Sequence, residues 1–273
     1  MATALITGAS AGIGRELARC FAADGHDVVL VARRRERLDE LANELRSRFQ
    51  IRAHAIACDL TQASAIDALL RRLQELGLEI EFLVNNAGAG VSGSFAELEL
   101  GRQLEFLELN VTAVLRLTRA LLPPMLARRR GRILNVGSTA GFQPGPFLAS
   151  YYASKAYVNS FSEALHFELR DTGVSVTLSC PGPTLTEFAG LAGIEHSRLF
   201  QLSAAPADRV ARQAYAAMLR GRALVIHGAL NRFGVQLLRI SPRAAVRWVT
   251  AALNRSVSAP EEARGQDRTS RGG

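Results

Sequence analysis

Short apolar runs alternate with longer amphipathic stretches along most of this chain. Residues 3–7 (TALIT) form a mostly apolar run that stops at a glycine-rich turn, and residues 13–23 then take helical spacing. Val28–Val31 is a continuous apolar run, followed by a charged stretch at 35–49 with Leu38, Leu41 and Leu45 on one helical face. Residues 51–57 predict a third strand, 62–76 a helix, and 82–84 a fourth strand ending in Asn85-Asn86-Ala87-Gly88. A long helical pattern covers 101–129, within which Pro123-Pro124 is expected to break or kink the helix. The rhythm continues with a strand at 132–136, a helix at 150–171 and a strand at 174–179 stopped by Pro181. A helix opened by Pro206 at its first position and a last strand at 223–227 complete it.

Strands alternating with helices of this length predict βαβ units, and right-handed crossovers make them a parallel sheet with helices on both faces. The expected fold class is therefore α/β, a doubly wound parallel sheet of the Rossmann-like three-layer kind. We expect one domain over 1–228, a helical extension of it over 229–257 and a disordered polar tail over 258–273.

Composition changes this picture little. With 273 residues and 48% hydrophobic content, the chain is long enough for a full core without disulfides or metals. Cys20, Cys58 and Cys180 are too scattered for a disulfide framework. His26, His54, His166, His196 and His227 lack an accompanying acid or cysteine pattern, so no metal is expected. The opening MATALITGAS has no charged segment followed by an apolar one, and no apolar run is long enough to span a bilayer. A cytoplasmic protein is expected.

The charge is more telling. Lys plus Arg is 33 against 25 Asp plus Glu, for a net charge of +8, yet Lys155 is the only lysine. The arginine clusters at 33–35 and 128–130 have no interleaved aromatics for base stacking, so nucleic acid is not expected as a partner. Beyond residue 232, Val246, Val249 and Leu253 follow helical spacing, with Arg243, Arg247 and Arg255 beside them. That segment suits packing on the chain's own core or a partner subunit, or peripheral contact with an anionic membrane.

Three constellations carry chemistry. Gly8, Gly12 and Gly14, with Ser10 and Ile13 between them, lie at the first strand–helix junction, where a doubly wound sheet binds nucleotide phosphates. An NAD site places an acid at the end of the second strand; this chain has Arg33 and Arg34 there, which predicts NADP(H) in preference to NAD(H). Tyr151 and Lys155 lie four apart on a predicted helix, so both project from one face. The ammonium is expected to bring the phenol's pKa from near ~10 toward neutrality, as a general acid–base group requires.

With these features the chain resembles the short-chain dehydrogenase/reductase family over about residues 3–190. The likeness rests on TGASAGIG, Asp59 after the third strand, the NNAG at 85–88, Asn110, Ser138, the YxxxK at 151–155 and Pro181-Gly182. It implies that Tyr151 is the acid–base residue, with Lys155 lowering its pKa and binding the nicotinamide ribose. It further implies that Ser138 polarises the substrate oxygen and that Asn110 holds a water extending a proton relay. Asp59, with Leu60, would read the adenine, and Asn86, Ala87 and Gly88 would lie against the cofactor. Pro181, Gly182, Thr184 and Thr186 would fix the carboxamide; family members often have valine where this chain has Thr184. A homodimer or homotetramer is implied as well.

The resulting expectation is an NADPH-dependent oxidoreductase acting on a carbonyl or secondary alcohol. The rival is a non-catalytic NADP-binding scaffold. Apolar residues on both sides of the site, including Phe142 and Phe188, favour a hydrophobic substrate over a phosphorylated or sugar one.

Overall fold

The structure is a computed structural model that describes residues 1–187 and 204–255. Seven strands form one parallel sheet: β1 (Thr3–Thr7), β2 (Asp27–Ala32), β3 (Ala53–Ala57), β4 (Ile80–Asn85), β5 (Gly131–Val136), β6 (Val174–Cys180) and β9 (Leu224–Ile226). Their order across the sheet is β3-β2-β1-β4-β5-β6-β9. A separate two-stranded pair, β7 (Thr184–Leu185) and β8 (Ala205–Pro206), was not expected from the sequence.

The continuous apolar runs are explained by two-sided burial. Side chains alternate across a strand, so Ala4, Ile6, Val28 and Leu30 enter one core while Leu5, Val29 and Val31 enter the other. The first core lies under α1 (Gly12–Ala23), α2 (Arg35–Phe49) and α7 (Ala207–Leu219), which contribute Leu17, Phe21, Leu41 and Met218. The second lies under α3 (Ala63–Glu75) and α5 (Ala113–Ala127), which contribute Ile66, Leu69 and Leu117.

Two proline expectations need correction. Pro123 and Pro124 lie inside α5, which runs on to Ala127. They deprive the carbonyls of Arg119 and Ala120 of their helical N–H donors without ending the helix. Pro206 is the N-cap of α7, with φ −61° and ψ 138°, because its ring accepts extended backbone as readily as helical. The single helix expected over 101–129 is also divided. It consists of α4 (Leu100–Leu107), a π-helical turn at Glu108–Thr112, and α5.

The chain leaves β1 toward β2 and β3, then returns to place β4 on β1's other side. This reversal opens a crevice beyond the ends of β1 and β4, where doubly wound sheets hold ligands. Thr7 ties those two strand ends together. Its hydroxyl donates to the Val84 carbonyl at 3.1 Å and accepts from the amides of Asn86 and Ala87 at 2.9 and 3.0 Å.

A buried polar chain fixes the next layer. Asn85 Nδ2 donates to Thr118 Oγ1 and to Asn135 Oδ1 at 3.1 and 2.9 Å, and Asn135 Nδ2 donates to Ser162 Oγ at 2.8 Å. It joins β4, β5 and α5 to α6 (Ala149–Glu168), the helix that carries Tyr151 and Lys155.

Candidate active site

The glycine turn approaches the end of β4 closely. Gly8 has φ +66°, and a Cβ there would lie 2.8 Å from Asn86 Nδ2 and 2.9 Å from the Ala87 Cα. A Cβ on Gly14 would meet the same Asn86 amide and the Gly8 carbonyl. Asn86 Nδ2 donates to the Thr7 carbonyl at 2.9 Å, so this side chain braces the turn from the β4 side. Above the turn, Thr186 Cγ2 would lie 2.8 Å from a Cβ on Gly12.

The geometry fits a phosphate-bearing dinucleotide. Helix α1 starts at Gly12 with no side-chain cap on Ala11 and no acid in its first turn. Its first N–H groups therefore lack a side-chain acceptor, and an anion at this position would supply one. Asp59 is occupied locally: Oδ1 accepts from the Thr61 amide and hydroxyl at 3.1 and 2.9 Å, shaping the turn after β3 beside buried Leu60.

At the end of β2, Arg33 is exposed and joins no ion pair among the described residues. Arg34 Nη1 donates to Glu187 Oε2 at 2.7 Å and Nη2 to Ser10 Oγ at 3.1 Å. Arg37 also pairs with Glu187, and the two guanidiniums hold this carboxyl below its usual range. The fold thus brings an acid from far along the chain to Arg34 and Arg37.

Helix α6 faces the strand ends with a polar row. Ser154, Lys155, Asn159 and Ser162 are all buried. Lys155 Nζ donates to the Val136 carbonyl at 2.9 Å, and Asn159 Nδ2 donates to the Ser138 carbonyl at 3.0 Å. Close approach is allowed by Gly141, where a Cβ would lie 2.6 Å from the Lys155 carbonyl oxygen. Ser138 continues from β5, and the Thr139 amide donates to the Pro181 carbonyl at 3.0 Å.

These contacts bring Ser138, Tyr151 and Lys155 together. The Tyr151 hydroxyl is hydrogen-bonded with the Ser138 side chain. Lys155 Nζ lies 6.0 Å from the Tyr151 ring centre. The expected tuning of the phenol toward neutrality is not met: apolar surroundings push Tyr151 up to about 12, against the opposing bond to Ser138. Burial pushes Lys155 down to about 8. Both shifts have one cause, since low polarity penalises the charged form of each group.

Asn110 lies buried in the π turn, and both ends of its side chain form hydrogen bonds. Oδ1 accepts from the Ala89 amide at 2.9 Å, while Nδ2 donates to the Ala89 carbonyl and Ser154 Oγ at 2.8 and 3.0 Å. Ser154 Oγ donates to the Tyr151 carbonyl at 2.7 Å. The amide therefore links the segment after β4 to the helix that carries Tyr151 and Lys155.

A cavity beside Tyr151 is lined by Val91, Phe95, Leu98, Phe106 and Phe147. Of the apolar residues that precede Tyr151, Phe147 lines it and Phe142 does not; the φ of Phe147 is +66°, and its carbonyl accepts from the Gly93 amide at 2.8 Å. Phe142 ends a short 3₁₀ turn at Thr139–Phe142, and Phe188 lies outside the described residues. On the other flank, Thr184 Oγ1 donates to the Gly182 carbonyl at 3.0 Å, and a Cβ on Gly182 would lie 2.9 Å from Asn231 Cγ.

A family profile described as short chain dehydrogenase matches residues 2–194. The chain belongs to that family. As a short-chain dehydrogenase it is an oxidoreductase of the pyridine-nucleotide type, and its sheet and helices match solved family members. It is 39% identical over 186 residues to sulfoacetaldehyde reductase 2 of Chromohalobacter salexigens, covering 67% of this chain and 73% of that one. It is 40% identical over 179 residues to a very-long-chain 3-oxoacyl-CoA reductase of Phaeosphaeria nodorum. The alignment covers 63% of this chain but only 52% of that relative. Among solved structures, a Sphingobium yanoikuyae short-chain dehydrogenase in complex with NADPH shares 35% identity at a TM-score of 0.79, covering 88% of this chain and 93% of that one. A Burkholderia phymatum family member in complex with NAD shares 26% identity at the same TM-score of 0.79, covering 86% and 92%. The dehydrogenase family accommodates both nucleotides, so the choice between them depends on local residues.

Sequence reasoning missed Thr7, Ser154, Asn159, Arg37 and Glu187. Asn159 had a signal: it is four residues beyond Lys155 and eight beyond Tyr151, on the same helical face. Glu187 had none, because its partners lie 150 and 153 positions away.

Proposed function

We propose that this dehydrogenase is an NADP(H)-dependent carbonyl reductase for a hydrophobic ketone or aldehyde, with Tyr151 as the proton donor. The observation that carries the reading is the Tyr151 phenol, hydrogen-bonded with Ser138 at the wall of an apolar cavity and held protonated by its surroundings. A phenol kept protonated is the state that reduction of a carbonyl needs.

The reduced dinucleotide, when bound, supplies a hydride to the carbonyl carbon. The turn around Gly8, Gly12 and Gly14 would hold its phosphates at the start of α1. Arg33 and Arg34 would take the 2′-phosphate, and Asn86, Ala87, Gly88, Pro181, Gly182, Thr184 and Thr186 would line the rest of the crevice. Ser138 Oγ would hydrogen-bond the carbonyl oxygen and fix it beside the Tyr151 hydroxyl. As negative charge grows on that oxygen, Tyr151 delivers its proton. The Lys155 ammonium stabilises the phenolate left behind and thereby lowers the cost of the transfer. Val91, Phe95, Leu98, Phe106 and Phe147 would enclose the apolar part of the substrate. A homo-oligomer fits the outward-facing Leu104, Leu107 and Leu115.

The decisive measurement is NADPH oxidation with a panel of apolar ketones and aldehydes. Tyr151→Phe should lower turnover by about 10²–10⁴-fold on any substrate found, the usual range for losing a general acid. Turnover that survives this change overturns the mechanism.

A further inference from the structure

The last two helices reverse the normal distribution of polar and apolar side chains. Helix α8 (Ala229–Ile240) turns Leu230, Phe233, Leu237 and Ile240 outward, at 73%, 67%, 47% and 82% exposure. Their spacing places them on one stripe of the helix. Helix α9 (Arg243–Arg255) buries Thr250 and Asn254 while Trp248 and Val249 are 74% and 59% exposed. The buried polar groups are satisfied. Thr250 Oγ1 donates to the Val246 carbonyl at 2.8 Å, and Asn254 Nδ2 donates to the Pro146 carbonyl at 2.8 Å. The helix is therefore anchored by its polar side and presents its apolar side outward. A single exposed apolar residue needs no explanation; two successive helices arranged this way do.

Charge identifies the occupant. Between 229 and 255 the chain has Arg232, Arg239, Arg243, Arg247 and Arg255 and no acidic residue. The first four are exposed, and none forms an ion pair among the described residues. Two-fold pairing with a second copy would bring arginine-rich surfaces together without a carboxylate in either segment to offset them. An anionic lipid surface supplies the missing charge and takes up the apolar stripe at the same time. Arginines flanking outward phenylalanine and tryptophan are the composition of a helix lying in a membrane interface. Neither helix is long and apolar enough to cross a bilayer, so the contact is peripheral.

We infer that α8 and α9 form a docking surface for an anionic membrane. This rests on the exposed face alone and stands whether or not the proposed reaction is correct. Trp248 is the chain's only tryptophan, so its fluorescence reports on α9 directly. With the full chain and vesicles of phosphatidylcholine containing phosphatidylglycerol, we expect co-sedimentation and a blue shift of the Trp248 emission at low salt. Binding should weaken at least about tenfold in ~0.5 M salt, where surface charges are screened. A similar loss is expected for Phe233→Ser/Ile240→Ser and for Arg239→Gln/Arg243→Gln, with an unchanged Tm showing that these variants fold. No co-sedimentation at low salt overturns the inference. So does equal binding to pure phosphatidylcholine vesicles. A lipid-free blue shift that grows with protein concentration and vanishes in Phe233→Ser/Ile240→Ser also overturns it, in favour of a second copy.

Discussion

Arg34 and Glu187, 153 positions apart in sequence, form an ion pair in which Nη1 donates to Oε2 at 2.7 Å. The same arginine reaches Ser10 in the glycine turn, so one guanidinium joins the start of α2, that turn and the segment after β7. Under the proposed NADP(H) reading, the Glu187 carboxylate and a 2′-phosphate compete for one positive cluster. The local absence of an acid beside Arg33 is thus partly offset by one supplied from far along the chain.

Glu187→Gln should therefore tighten NADPH binding, by about two- to fivefold, because both pairs are solvent-exposed and worth only a fraction of a kcal/mol to about 1 kcal/mol each. NADH affinity should stay the same. Fluorescence titration with both nucleotides tests this, and a loss of NADPH affinity would instead make Glu187 a support for the arginines.

Arg33→Ala addresses the other half of the reading. The exposed guanidinium has no ion-pair partner to release among the described residues, so removing it should weaken NADPH by about tenfold or more while leaving NADH nearly unchanged. An unchanged NADPH-to-NADH affinity ratio takes Arg33 out of phosphate recognition.

The low-polarity site sets a pH window for catalysis. Lys155 loses its proton near pH 8, whereas Tyr151 keeps its own to about 12. Reduction requires the phenol and the ammonium together, so kcat/KM should fall as pH rises through about 8, on the lysine side of the profile. Lys155→Arg keeps its charge across this range and should abolish the fall, at a lower rate set by the wrong geometry. A wild-type profile that falls only near pH 12 would assign no role to the Lys155 charge.

The order of the site's parts was legible because short-range pattern fixes it. Tyr151 and Lys155 share a helical face by spacing alone, and the glycine turn is marked by its place between β1 and α1. What holds these parts in position was not legible. Ser154 reads as an ordinary helix polar until Asn110 arrives from another element to bond it, and the spacing that puts Asn159 on the Tyr151 face says nothing of its bond to Ser138. The division of the long helix into α4 and α5 shifts the apolar phase by a single residue, which no residue type marks. Phe147 with φ +66° is likewise invisible, because the strain of a bulky left-handed residue is tolerated only through tertiary contacts such as its bond to Gly93.

The Asn85–Asn135–Ser162 chain shows how much rests on such contacts. Asn135 is fully buried and uses both ends of its amide, and Asn85 Oδ1 already has no partner among the described residues. Asn135→Ala should destabilise the protein by about 2–4 kcal/mol, since it leaves buried donors and acceptors unmet and opens a small void. Denaturant unfolding measures this; a loss below about 1 kcal/mol would show that the chain is replaceable packing.

His227 should make the fold acid-sensitive before its carboxylates do. The ring is buried, with Nε2 at 2.8 Å from Ser179 Oγ and Nδ1 at 2.9 Å from Gln213 Oε1. The glutamine oxygen can only accept, so Nδ1 carries the proton and Nε2 of the neutral ring accepts from the serine; protonating Nε2 would cost that second bond. Burial pushes its pKa down from 6.5 to about 4. Between these values the unfolded chain binds a proton that the folded one refuses, so stability falls as pH drops from 6.5 to 4. At about 1.4 kcal/mol per pH unit the loss approaches 3 kcal/mol. Glu44 and Glu187 have folded pKa values lowered from 4.5, so their contribution is lost mainly below that pH. His227→Gln should flatten the stability profile between pH 6.5 and 5 while leaving the steeper acid limb in place. A variant that loses stability in that interval as wild type does would place the sensitivity elsewhere.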